Sequence, residues 1–209
     1  MSPINRLIEN NRTWADALKA RDPEFFAKRE NDQAPLFLMI GCSDSRVPLE
    51  VMTGAQPGDM FVHRNIGNQV YATDLNVLSV VHFAVTILDV KHIIVCGHTN
   101  CGALRAAEKP AGMGIVDHWI AGVRNTIRRH KSELEQFTGE EERLRRLSEL
   151  NVLQQVGVLS RTPTVLDAWS RGQRPLLHGW VYDIGTGHVK PVVESIGSVE
   201  QAGAALPTG

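Results

Sequence analysis

Three residues of this sequence carry donors soft enough to grip a transition-metal ion, and they stand in two short segments. Cys42 lies in Gly41-Cys42-Ser43-Asp44-Ser45-Arg46, and His98 with Cys101 in Cys96-Gly97-His98-Thr99-Asn100-Cys101. Two thiolates and one imidazole suit a tetrahedral Zn²⁺, and three protein ligands leave the fourth position for water or substrate. Beside the first cysteine, Asp44 and Arg46 are two residues apart, so in an extended turn they project to one side and can pair through the guanidinium fork. Next to a metal, that carboxylate has two uses: it can accept a hydrogen bond from metal-bound water, or displace the water as fourth ligand. Arg46 would decide between them. Each piece has a plainer reading on its own. A lone His-x-x-Cys is often incidental, a cysteine after a strand is commonly core packing, and Asp-x-Arg is often a structural salt bridge. The joint placement of both segments is what speaks for a metal centre.

That placement depends on the elements around them. Leu36 to Gly41 is short, continuously apolar and closed by glycine, as expected of a strand buried on both faces of a parallel sheet. His92 to Cys96 reads as another such strand, and Met60 to His63 as a weaker one. Between them Leu75, Leu78, Val81, Val85 and Leu88 recur every three or four residues, the stripe of a helix packed on a sheet. Strands alternating with helices predict an α/β fold with a mostly parallel sheet, whose ligand site lies at the carboxyl ends of the strands. Both candidate segments fall there, whereas Cys96 falls inside a strand and reads as core.

The remainder predicts a single domain over 1–209: a helical arm over 1–34, an α/β core over 35–200 and a loose tail over 201–209. Ile4, Leu7, Ile8, Trp14 and Leu18 mark an amphipathic helix in the arm, and Asp22-Pro23 a short second one. In the second half, helices are expected from Ile115 to Lys131, from a capping box at Thr138–Glu141 towards Ser160, and from Pro163 to Gly172. A hairpin is expected from His178–Ile184 and His188–Val193.

Composition narrows the partners. With 22 Lys+Arg against 23 Asp+Glu, no overall positive field recruits nucleic acid or an anionic membrane. The basic run from Arg124 to Lys131 is followed by acidic residues and lacks stacking aromatics, so it reads as a solvated face or a subunit contact. Val77 to Val90 is too short and too interrupted to span a bilayer. The N-terminal residues show no secretory pattern, which makes a cytoplasmic location the expectation. Three cysteines are too few, and odd in number, for a disulfide framework. Gly112-x-Gly114 lacks the third glycine and the preceding strand of a dinucleotide fingerprint.

Cys42-x-Asp44-x-Arg46 with His98-x-x-Cys101 resembles the zinc site of the beta-class carbonic anhydrases. The likeness extends through Val62-His63-Arg64-Asn65, the run from Cys96 to Gly102, and His178-Gly179-Trp180-Val181-Tyr182. It implies one Zn²⁺ per chain on Cys42, His98 and Cys101, a catalytic dyad of Asp44 and Arg46, and reversible hydration of CO₂ to bicarbonate by zinc-bound hydroxide. The metal lowers the pKa of bound water towards ~7 in favourable sites. Two thiolates blunt that effect, so a carboxylate kept ionised by Arg46 has water to orient. No proton shuttle is assigned, because the other histidines read as surface or satisfied core residues. The likeness also implies a dimer or tetramer, with the arm embracing a neighbour, and an inactive state in which Asp44 binds the zinc.

Some members of that family couple this inactive state to bicarbonate through a non-catalytic pocket of tryptophan, arginine and tyrosine. Arg64 and Tyr182 match two of its positions, but Met39 stands where tryptophan is expected and offers no indole N–H. Bicarbonate inhibition through that pocket is therefore expected to be weak or absent. Two other readings keep the metal: hydrolysis of a CO₂-like molecule such as carbon disulfide, and a non-catalytic protein that zinc only staples. A poised Asp44 speaks against the second.

Overall fold

The apolar run after Pro35 becomes the centre of a five-stranded sheet. The computed structural model describes residues 1–206, and the chain divides into two units, Met1–Ala34 and the remainder from Pro35.

In the first unit, helix α1 (Pro3–Arg21) starts where Ser2 accepts the Asn5 N–H at 3.1 Å and Pro3 occupies the first turn. Its apolar positions are open to solvent: Ile4, Leu7, Ile8 and Trp14 are 65%, 62%, 49% and 47% exposed. The short helix expected after Asp22 is instead a set of turns ending in one 3₁₀ turn, Ala27–Arg29. Asp22 does accept the Glu24 N–H at 3.1 Å, the cap bond expected of it, but no α-helix follows.

The second unit runs β1 (Phe37–Cys42), α2 (Leu49–Thr53), β2 (Met60–Asn65), α3 (Leu75–His82, prolonged by a π-helical turn), β3 (His92–His98) and α4 (Gly102–Ala107). It continues with α5 (Ile115–Trp119), α6 (Ala121–Arg129), α7 (Lys131–Leu134), α8 (Glu140–Leu159), α9 (Pro163–Ser170), β4 (Leu176–Tyr182), β5 (Val189–Ile196) and α10 (Val199–Ala205). The sheet order is β2-β1-β3-β4-β5, parallel through β4, with β5 antiparallel as the returning arm of the hairpin. Side chains alternate between faces along β1 and β3. Leu38, Ile40, Ile93 and Val95 pack with Val152, Val156 and Leu159 of α8. Met39, Ile94 and Cys96 pack on the other face with Val47 and Leu49. The α/β class with a mostly parallel sheet is therefore the observed one.

Three further expectations need correcting. The helix from Ile115 to Lys131 is broken into α5, α6 and α7: the Tyr71 hydroxyl donates to the Trp119 carbonyl, which a continuous helix would have used internally. The capping box at Thr138 does not form. Gly139 is the N-cap without a side-chain bond, and Glu140, Glu141 and Glu142 supply negative charge to the first turn instead. Nor are residues 201–206 a loose tail. Ser198 accepts the Gln201 N–H at 3.2 Å, α10 forms, and Ala202 and Leu206 are buried against the core; residues 207–209 of that expected tail lie outside the described residues. Among the described residues no helix is long and apolar enough to cross a membrane.

Candidate metal centre

Strand order places the site. The chain leaves β1 for β2 on one side and returns to β3 on the other, so β1 and β3 are neighbours whose carboxyl ends open a crevice between diverging loops. Cys42 is the last residue of β1 and His98 the last of β3. Two residues on, Asn100 adopts a left-handed conformation (φ 54°), which turns the chain so that Cys101 becomes the N-cap of α4. Asparagine tolerates that region better than most residues.

Cys42, His98 and Cys101 are all buried, and their ligand atoms lie within 4.8 Å of one another. His98 Nδ1 donates to the Thr99 carbonyl at 2.9 Å, which fixes the tautomer and leaves Nε2 as the free nitrogen. That Nε2 is buried without a hydrogen-bond partner, a costly state for a polar atom unless something else fills it. The thiols report the same demand. Donation from Cys101, helped by the Gly67 and Asp44 N–H groups, brings Cys42 down to about 4 against its burial. Cys101, left holding the proton beside Cys42 and desolvated, is pushed up. Two buried sulfurs and an unpartnered imidazole nitrogen, all within 4.8 Å of one another, form a donor set that fits a soft or borderline divalent cation. Cys96 differs: it is fully buried inside β3, and desolvation raises its thiol to about 12.

Asp44 and Arg46 do pair. Arg46 Nε donates to Asp44 Oδ1 at 2.9 Å and Nη2 to Oδ2 at 2.7 Å, while the Arg46 backbone N–H adds a third bond at 3.0 Å. The Arg46 hydrogen bonds hold the carboxyl well below the usual carboxylate range. Asp44 Oδ2 lies 3.7 Å from His98 Nε2, so the carboxylate faces the donor set from within the ion pair. Arg46 Nη2 also reaches the Asn100 carbonyl at 3.2 Å and ties the first segment to the second.

Arg64 does something the sequence reading missed. Its guanidinium donates to three backbone carbonyls of the segment that begins at Cys42: Cys42 (2.8 Å), Asp44 (3.2 Å) and Val47 (2.6 Å). Met39 is fully buried, in the same packed group as half-buried Tyr182, and Arg64 comes from the neighbouring β2. Also unforeseen is the Gly67 N–H, which points at Cys42 Sγ from 3.4 Å. Gly67 sits at φ 76°, a conformation that favours glycine, in a turn whose geometry no local pattern announced.

Known proteins agree with this geometry. The family model for carbonic anhydrase matches residues 37–189. A carbonic anhydrase of Emericella nidulans is 42% identical over 186 residues, covering 89% of this chain and 82% of the relative. One of Pseudomonas aeruginosa is 40% identical over 185 residues, covering 83% and 80%. Among solved structures, a Coccomyxa beta-carbonic anhydrase in complex with acetazolamide superposes with a TM-score of 0.95 at 40% identity, over 100% of this chain and 94% of that one. One of two tetrameric beta-carbonic anhydrases from Sordaria macrospora follows with 0.88 at 39% identity, over 92% and 98%. The chain belongs to the beta-class carbonic anhydrases, and its enzyme class is that of the carbonate dehydratases.

Proposed function

We propose that Cys42, His98 and Cys101 hold one Zn²⁺ and that Asp44 with Arg46 serves it in the reversible hydration of CO₂ to bicarbonate and a proton. The observation that carries this reading is the poised carboxylate: Asp44 Oδ2 stands 3.7 Å from the partnerless Nε2 of His98, inside a bidentate ion pair. Bound there, zinc supplies the Lewis acidity that makes water nucleophilic near neutral pH.

The chain's own residues do the rest. Asp44, kept ionised by Arg46, is acceptor-only, so an O–H group brought beside it must turn its hydrogen towards Oδ2 and leave a lone pair directed elsewhere. Arg46 neutralises the carboxylate and, anchored in addition to the Asn100 carbonyl, keeps it from swinging onto the metal position. Arg64 clamps the carbonyls of residues 42, 44 and 47 and so fixes the loop that carries both a ligand and the dyad.

Two further statements belong to this reading. Bicarbonate inhibition through Arg64 and Tyr182 is weak or absent: Met39 offers no donor, and Arg64 already serves backbone carbonyls. A strong bicarbonate-dependent loss of activity that disappears in Arg64→Ala would overturn that statement. The chain also self-associates as a dimer or tetramer, supported by the exposed apolar side chains of α1 and by likeness to tetrameric relatives. Stopped-flow CO₂ hydration across pH, with zinc measured on the same sample, tests the main proposal. Turnover proportional to zinc content is expected, and zinc-replete protein without CO₂ hydration would refute it.

A further inference from the structure

Helix α8 carries a polar stripe that neither its solubility nor the dyad chemistry requires. Ser148, Asn151 and Gln155 are spaced three and four apart, so they share one face of the helix, and all are 2% exposed or less. Around them Leu147, Leu150, Val152 and Val156 are buried too, so this face is enclosed rather than wet. Burying amides and a hydroxyl is unfavourable unless every partner is supplied. Besides bonds within the helix itself, the partners are backbone and side-chain groups of the 67–70 turn and of His98.

Ser148 Oγ lies 3.0 Å from the His98 carbonyl, sharing its hydrogen between that oxygen and Leu144 within the helix at 2.9 Å. Asn151 Nδ2 donates to the Gly67 carbonyl at 3.1 Å, and Asn151 Oδ1 accepts from Gln69 at 2.9 Å and from Gln155 at 3.0 Å. Gln155 Oε1 in turn accepts the Val70 N–H at 2.8 Å. The 66–70 turn is thus held from one side by the helix, and from its other side the Gly67 N–H points at Cys42 Sγ. The helix reaches this close because Gly97, the residue before His98, has no Cβ; one there would sit 2.7 Å from Val152 Cγ2.

We propose that Ser148, Asn151 and Gln155 are positioning residues for the metal centre, bracing His98 through its carbonyl and Cys42 through the Gly67 N–H. This rests on the reading of Cys42, His98 and Cys101 as the metal ligands. An N–H···S bond withdraws charge from a ligating thiolate, so the brace sets both ligand geometry and how strongly the sulfur donates. Groups that orient ligands in this way are worth about 10–100-fold in metal affinity.

The test uses the full chain, with zinc affinity read by competition against a chromophoric chelator and the sulfur-to-metal absorption band read on the Co²⁺-loaded protein. Ser148→Ala and Asn151→Ala are each expected to weaken zinc binding about 10-fold or more. Asn151→Ala should also shift the Co²⁺ band to longer wavelength, as Cys42 becomes the stronger donor. Ser148→Thr should restore affinity, and Ser160→Ala, which removes a buried hydroxyl bonded only within its own helix end, should match the parent. Parent-like affinity and spectrum in Ser148→Ala and Asn151→Ala would overturn the proposal; if Asn151→Ala does not fold, Ser148→Ala and its threonine rescue decide. Cys42→Ser separates the two layers. Undiminished zinc binding in that variant would sink the ligand assignment itself, whereas its loss beside intact binding in the α8 variants would sink only the bracing.

Discussion

Strand β3 begins and ends with a histidine, and the two ends of the sheet treat them in opposite ways. At the amino end, His92 Nδ1 and His178 Nε2 lie 3.1 Å apart, Phe37 stacks on His92, and His178 Nδ1 accepts the Ser195 N–H at 3.2 Å. Every nitrogen in that chain of contacts faces a protein partner except the outermost. At the carboxyl end, His98 points an unpartnered Nε2 at two buried sulfurs and an ionised carboxylate. A half-buried histidine close to another is therefore not in itself a ligand. What distinguishes the proposed ligand is a nitrogen left unsatisfied among charged or ionisable neighbours.

The largest effect expected at the carboxyl end is that of His98→Ala, which removes one of the three proposed ligands. Purified protein should hold no stoichiometric zinc by elemental analysis and show no CO₂ hydration above the uncatalysed rate. Asp44→Asn comes next. It keeps the ligand set but replaces an acceptor-only group, and loss of positioned proton acceptance is worth about 10²–10⁴-fold in rate. Zinc content should stay at one per chain, and unchanged turnover would place the chemistry elsewhere. Gly97→Ala probes the packing beneath the site: a Cβ 2.7 Å from Val152 Cγ2 forces α8 outward, with an expected cost of about 1–3 kcal/mol in chemical denaturation.

The smallest effect lies at the amino end. Burial is the main cause holding His92 and His178 below the ordinary histidine value of 6.5, with Arg174 and the pair itself adding to it and Glu194 opposing it at His178. A depressed histidine means the unfolded chain binds protons first. The stability the pair contributes is present above about 6.5 and is lost as pH falls through the folded values. His178→Gln should leave CO₂ hydration within about twofold of the parent and cost about 1 kcal/mol near neutral pH. It should also flatten the fall in stability on the acid side. If it instead removed zinc, the contrast between the two ends would fail.

Much of the site was legible before any coordinates because its parts are local. Cys42, Asp44 and Arg46 fall within five residues, and His98 and Cys101 within four, each set next to an apolar strand with an unambiguous pattern. The hairpin and the long helix α8 were legible for the same reason. Arg64 is the intermediate case: its place in a matching motif was readable, but not that it would serve carbonyls 17 to 22 residues away in sequence. The failures share a cause as well. The break at Ile120 depends on a hydroxyl from Tyr71, and the order of residues 201–206 depends on a core that Ala202 and Leu206 help to fill. A signal for the brace did exist in Ser148, Asn151 and Gln155, a polar file at helical spacing beside Leu147, Leu150, Val152 and Val156.

By itself the amino-acid sequence determined donor chemistry, strand placement and membership of an enzyme family, because residue type and spacing along one segment suffice for those. Tertiary structure alone decided that the two segments converge within 4.8 Å, that His98 keeps a nitrogen free, and that Gly67 turns its N–H towards Cys42. These are contacts between parts of the chain distant in sequence, and their energies come from burial and hydrogen bonding that exist only after the strands have paired in the order β2-β1-β3.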